Sequence, residues 1–213
     1  MAAEPGTAAH WDDAYGQGED TRSWFQQQPA MSLEMMDTAG ACADDSVIDV
    51  GAGASPLAGA LLGRGFVDVT VLDISATGMQ HARRRLGPQA ARVRWLRADV
   101  LTWRPQRQYQ VWHDRAVFHF LTASQARRRY LRTLESATAP GAVAVFGCFA
   151  LDGPQRCSGL PVARYGPDEL AGRLGSGWTL IARDREEHIT PAGAIQPYTW
   201  AAFRRGPEQA RPA

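Results

Sequence analysis

The sequence predicts an α/β fold, doubly wound around a mostly parallel seven-stranded sheet with a C-terminal antiparallel hairpin. Three observations carry that expectation. From position 46 onward, short β-rich runs alternate with amphipathic stretches of about ten or more residues. Such repeated units imply parallel strands, right-handed crossovers and helices on both faces of the sheet. A glycine pair stands where the first strand turns into the first helix, and acids close successive strands at the edge where open α/β sheets bind ligands.

The elements follow in order. Residues 47–50 (VIDV) read as a short buried strand ending at Gly51, and 55–64 have the length and Ala/Leu content of a helix. A second strand is expected at 67–72, ending at Asp73, with a second helix at 77–86. The third strand, 93–96, ends near Asp99, and the fourth, 109–112, closes on His113-Asp114. A long helix is expected over 124–138, stopped by Pro140-Gly141, before a strongly apolar fifth strand at 142–149. The rhythm then changes. Residues 151–165 read as a Gly/Pro/Ser-rich loop, 167–174 as a short helix, and 178–183 and 197–203 as two strands joined by a loop, which pair antiparallel. Three segments result: an N-terminal lid or helical segment (1–45), a ligand-binding domain (46–205) and a disordered tail (206–213), with 1–9 also expected to be disordered.

With 213 residues, 45% of them hydrophobic, the chain is long enough for one well-buried domain. All 23 basic side chains are arginine. Without a lysine there is no Schiff-base amine, no phosphate-loop cation and no titrating amine base, which excludes PLP enzymes, Walker-type NTPases and protein kinases. A net charge of +1 gives no global field for nucleic acid or an anionic membrane. The runs Arg83-Arg84-Arg85 and Arg127-Arg128-Arg129 read as solvated helix faces. Three cysteines without a CxxC pair point to a reducing compartment, and the absence of a leader or spanning segment to a cytoplasmic protein.

The sharpest motif is Asp49-Val50-Gly51-Ala52-Gly53-Ala54-Ser55. Gly51 and Gly53 let backbone approach a ligand closely, and the helix that follows offers free N–H groups. Asp73, 22 residues beyond Gly51, stands where a ribose-binding acid belongs in nucleotide-type sheets, and Asp99-Val100 follows the third strand. A dinucleotide fingerprint needs a third glycine where Pro56 stands. S-adenosylmethionine has no phosphate to cradle, so the pattern favours it over NAD.

On these residues, with His113-Asp114-Arg115 closing the fourth strand, the chain resembles the class I S-adenosylmethionine-dependent methyltransferases over about 47–203, with Ser55 in place of the usual third glycine. The resemblance implies that Asp49 and Gly51, with Gly53 in the same loop, lie near the methionine moiety. It also puts Asp73 and Ile74 at the ribose, Asp99 and Val100 at the adenine, and Asp114 at the acceptor-facing mouth. The opening His10-Trp11-Asp12-x-x-Tyr15, followed by Trp24-Phe25, looks like that of small enzymes including elongation-factor lysine methyltransferases, whereas Asp114-Arg115-Ala116-Val117 looks like thiopurine and related thiol methyltransferases.

The expected reaction is metal-free methyl transfer to a small-molecule acceptor, a thiol or other soft nucleophile being favoured and a protein lysine the alternative. An NAD-dependent oxidoreductase and a non-catalytic cofactor-binding protein are the competing readings. The catalytic candidates are Asp114, His119 as base or as packed core histidine, and Arg115 as anion binder or as partner of Asp114. His113 is expected on the face opposite Asp114, away from the site. Trp24, Phe25 and Tyr15 read either as a lid over the cofactor or as core aromatics, and Cys157 as an exposed thiol in the loop after the fifth strand.

Overall fold

The computed structural model describes residues 4, 6–18 and 20–207. Strands β1 (Val47–Val50), β2 (Val69–Asp73), β3 (Val93–Arg97), β4 (Tyr109–Arg115), β5 (Thr138–Phe149), β6 (Trp178–Ile189) and β7 (Ile195–Arg205) form one sheet in the order β3-β2-β1-β4-β5-β7-β6. The first five are parallel; β7 runs antiparallel to both β5 and β6. The order reverses between β1 and β4, so the carboxyl ends of these two strands open a crevice.

Among the described residues, six α-helices accompany the sheet: α1 (Ala8–Gly16), α2 (Ala30–Thr38), α3 (Leu57–Gly63), α4 (Ala76–Leu86), α5 (Ser124–Ala137) and α6 (Pro167–Leu174). Strand alternation sorts the core into two layers. Val47 and Val111 pack with Met35 and Met36 of α2, with Leu57 and Leu61 of α3, and with Tyr198 and Trp200. Ile48, Val50 and Trp112 pack on the other face with Tyr130 and Leu134 of α5, Leu170 of α6, Phe146 and Phe203. β1 and β2 are buried along their whole length, which is why they read as short runs rich in apolar and β-branched residues.

Several boundaries differ from the expectation, each for a physical reason. α1 begins at Ala8, inside the stretch expected to be disordered, because Thr7 caps it by accepting from the His10 amide. Residues 1–3 and 208–213 of the expected tails lie outside the described residues. β5 begins at Thr138 rather than 142: Pro140-Gly141 is absorbed in a register shift between Tyr109 and Val111 of β4, with Gly141 at φ 81°. β6, with 12 residues, is twice as long as the run that predicts it, and β7 extends its run by two residues at each end. Residues 184–188 of β6 (DREEH) are polar on both faces, the charged composition an edge strand tolerates. The expected loop 151–165 contains a two-residue ladder pairing Arg156–Cys157 with Leu160–Pro161.

Candidate active site

A cavity of ≈ 360 Å³ occupies the crevice. Its walls come from the ends of four parallel strands: Asp49 and Gly51 from β1, Asp73 and Ile74 from β2, Asp99 and Val100 after β3, and His113 and Arg115 of β4. Trp24 closes the outer side with Trp11, Tyr15 and Phe25. The volume and the mixture of apolar wall with a few polar groups suit a small-molecule site.

At the β2 end, Asp73 is 6% exposed, and its two oxygens accept from the Ser75 amide (2.6 Å) and the Gly53 amide (2.7 Å). Each oxygen keeps a free lone pair, so the carboxylate can also accept from vicinal hydroxyls. Burial pushes its pKa up to about 6, against the lowering by those two amides. Ser75 meanwhile caps α4, its Oγ accepting from the Gly78 amide. Asp99 accepts from the Leu101 amide at 2.8 Å. Gly53 itself does not line the cavity; its backbone holds Asp73.

At the β1 end, Asp49 Oδ1 is bonded to His113 Nδ1 at 2.7 Å, and His113 Nε2 to Ser32 Oγ of α2 at 2.9 Å. Asp49 Oδ2 is buried without a partner. A buried carboxylate oxygen left unmatched in a cavity wall suits a cationic ligand group such as an ammonium. His113 is thus a wall of the site and not outside it. The predicted alternation is correct but its direction is reversed: His113 shares a face with Asp49, its register partner across β1 and β4, and Asp114 faces α5. Ser32, 81 residues from His113, leaves no signal in the sequence.

The N-terminal pattern docks the cover. Asp12 Oδ1 accepts from Ser75 Oγ (2.6 Å) and from the Thr77 amide (2.9 Å), which fixes α1 on the start of α4. Trp11 stands edge-on to Phe120 and Trp24, and Trp24 Nε1 donates to Tyr15 Oη at 3.2 Å. The strand-like extension of β6 pins the following segment: Gln26 Nε2 donates to Glu186, and His188 Nε2 pairs with the Ser23 carbonyl at 2.8 Å. Trp24 and Phe25 therefore belong to the cavity wall rather than to the core.

Two of the three expected catalytic side chains do not face the cavity. Asp114 is fully buried on the α5 side, where it accepts from the Val117 and Phe118 amides and from the Tyr130 hydroxyl. It anchors the turn after β4. Replacing Asp114 with alanine leaves those donors unmatched and is expected to cost about 3 kcal/mol in urea unfolding, with Tyr130→Phe costing about 1 kcal/mol. His119 is also fully buried; its Nδ1 accepts from the Phe149 amide, and its ring packs on Phe120 and Phe149. Burial, aided by the Arg115 charge, lowers its pKa to about 3, so it is the packed histidine and not a base. Arg115 does line the cavity and makes no ion pair with Asp114. Cys157 lines it too, but it is 4% exposed instead of open to solvent, and burial raises its thiol to about 11.

The helix start bears on cofactor class. Ser55 Oγ accepts from the Leu57 amide at 3.1 Å, and Pro56 has no amide hydrogen to give. The first N–H groups that a pyrophosphate would use are thus taken or missing. A family model for the methyltransferase domain matches residues 47–141. Over that stretch the chain is similar to methyltransferase domains.

Solved structures extend the likeness in fold to nearly the whole chain. One belongs to a structure titled for the conversion of a disulfide bond into a thioacetal group during echinomycin biosynthesis; it is 24% identical, covers 93% of each chain and has a TM-score of 0.71. The 1,6-didemethyltoxoflavin-N1-methyltransferase of Burkholderia thailandensis, with its acceptor and S-adenosylhomocysteine bound, is 21% identical over 97% of this chain and 92% of that one, at a TM-score of 0.70. The N-methyltransferase NodS of Bradyrhizobium japonicum, with S-adenosylhomocysteine, is 15% identical over 92% and 98%, at 0.68. No curated protein matches the chain by sequence.

Proposed function

We propose that this methyltransferase methylates sulfur on a small aromatic acceptor. The observation that carries the reading is the make-up of the cavity beyond the β1 end: Trp11, Trp24, Phe25, Phe120 and Leu160 around one cation, Arg115, with no free base. His113 is held between Asp49 and Ser32, and both Asp114 and His119 are buried away from the cavity. An acceptor there must lose its proton without help. A thiol, near 8.5, does so readily at neutral pH, whereas an ammonium near 10.4 does not and is repelled by the guanidinium. The echinomycin-pathway relative, titled for a disulfide conversion, is a precedent for sulfur chemistry on this fold.

S-adenosylmethionine, when bound, supplies the methyl electrophile and a neutral thioether leaving group, so the acceptor's sulfur lone pair forms the new bond as the sulfonium bond breaks. The chain's own residues bind, orient and exclude water. In this reading Asp73, next to Ile74, accepts the ribose hydroxyls, and Asp99 and Val100 receive the adenine. Asp49 Oδ2 meets the ammonium beside the Gly51 turn, and Trp24 covers the reacting groups.

The test offers labelled cofactor with thiophenol, benzylamine or a lysine-containing peptide. Transfer to thiophenol at a rate at least about tenfold above the other two is expected. Transfer to peptide lysine without any to thiophenol overturns the reading.

A further inference from the structure

Beside Asp49 Oδ2, the buried cavity-wall atoms without a hydrogen-bond partner belong to Arg115. Its Nη1 donates to the Trp24 carbonyl at 2.9 Å, while Nε and Nη2 are buried with no partner. Those two nitrogens are not scattered. They form the side-on edge of the guanidinium, whose two parallel N–H bonds match the two oxygens of a carboxylate. No Asp or Glu among the described residues pairs with it.

The group is also held in place. Its guanidinium carbon lies 4.9 Å from the centre of the Tyr198 ring, so a cation–π contact fixes one face, and the Trp24 carbonyl fixes one end. Ala116, the next residue, adopts φ 70°, a left-handed conformation that a non-glycine residue rarely adopts, at the cavity wall. The charge is felt around it: it contributes to lowering both His119 and His188. Two buried guanidinium nitrogens without acceptors on a half-buried cation are costly unless a ligand completes them.

We infer that the Nε/Nη2 edge of Arg115 docks a carboxylate carried by the methyl acceptor. The inference rests on the small-acceptor reading above and sharpens it to an anionic aromatic thiol. The cofactor's own carboxylate has the same chemistry, but the geometry favours the acceptor. The cofactor's carboxylate shares a carbon with the ammonium given to Asp49 Oδ2 on β1, whereas the Arg115 guanidinium lies against Tyr198 of β7, two strands beyond β4, and under the Trp24 cover.

The experiment titrates benzoate and its neutral counterpart benzamide into the full chain saturated with S-adenosylhomocysteine, followed by calorimetry. Wild type is expected to bind benzoate at least about tenfold more tightly than benzamide. Arg115→Gln is expected to abolish that preference and Arg115→Lys, which keeps the charge but not the fork, to reduce it severalfold. Affinity for S-adenosylhomocysteine should stay within about twofold in both variants. Equal binding of benzoate and benzamide by wild type overturns the inference. So does a loss of S-adenosylhomocysteine affinity in both variants with 5′-methylthioadenosine binding unchanged, since the fork would then hold the cofactor's carboxylate.

A parallel assay with 2-mercaptobenzoate and thiophenol separates the two readings. Equal turnover of both thiols retains sulfur methylation and removes the carboxylate dock. A benzoate preference without turnover of either thiol retains the dock and removes sulfur methylation.

Discussion

Asp73→Ala is expected to weaken S-adenosylhomocysteine binding about 100-fold or more in calorimetry. In the proposed role of Asp73, the change removes two charge-assisted hydrogen bonds to ribose hydroxyls, at about 1.5–3 kcal/mol each. The variant also frees the Gly53 and Ser75 amides, which now converge on one carboxylate, so the glycine loop and the start of α4 lose their common tie. Asp73→Asn tests the charge separately: it can satisfy only one of the two amides, and it should lie between wild type and alanine. A pH series gives an independent check. Burial raises Asp73 to about 6, above its ordinary 3.8, so the carboxylate is ionised above about pH 6 and protonates below it. Because the ionised form is the better acceptor, affinity should be full above pH 6 and fall on acidification through it, by up to about tenfold per pH unit. Binding of Asp73→Ala that matches wild type, or wild-type affinity flat from pH 7 to 5, contradicts the role given to this residue.

What was legible in the sequence follows from how local each signal is. The parallel strands β1 and β2 were readable because both faces are buried and the runs are rich in apolar and β-branched residues. The positions of Asp49, Asp73 and Asp99 were readable because a strand end is a sequence-local event. Which way a strand faces is not local. On β4 the sequence fixes only that His113 and Asp114 point oppositely; the side that becomes the cavity depends on α2 supplying Ser32 and α5 supplying Tyr130. The sequence therefore gave Asp114 the place that belongs to His113. The same limit hid β6, whose polar half earns its place by pinning residues 23–26 over the cavity through Glu186 and His188, a contact spanning some 160 residues.

The cover and the glycine loop form one mechanical unit, and Gly53→Ala is expected to break it. Gly53 adopts φ +51°, and a Cβ there would stand 1.9 Å from Tyr15 Oη and 2.5 Å from its Cζ. Tyr15 has nowhere to retreat. Its ring also fills the space beside Gly78, where a Cβ would meet Cε2 at 2.8 Å, and α1 is tied to α4 through Asp12. Left-handed strain and overpacking together should cost about 3 kcal/mol in denaturant unfolding, and the displaced loop should carry the Gly53 amide away from Asp73, so cofactor affinity falls with stability. The two costs can be separated. Tyr15→Ala relieves the collision but not the backbone strain, so the double variant Gly53→Ala/Tyr15→Ala should be more stable than the sum of the single changes predicts, by about 1 kcal/mol or more. Strictly additive losses would mean that the glycine answers only to backbone conformation. A favourable coupling would mean instead that the absent side chain at 53 is the seat for Tyr15, and that the aromatic cover is positioned by the cofactor loop itself.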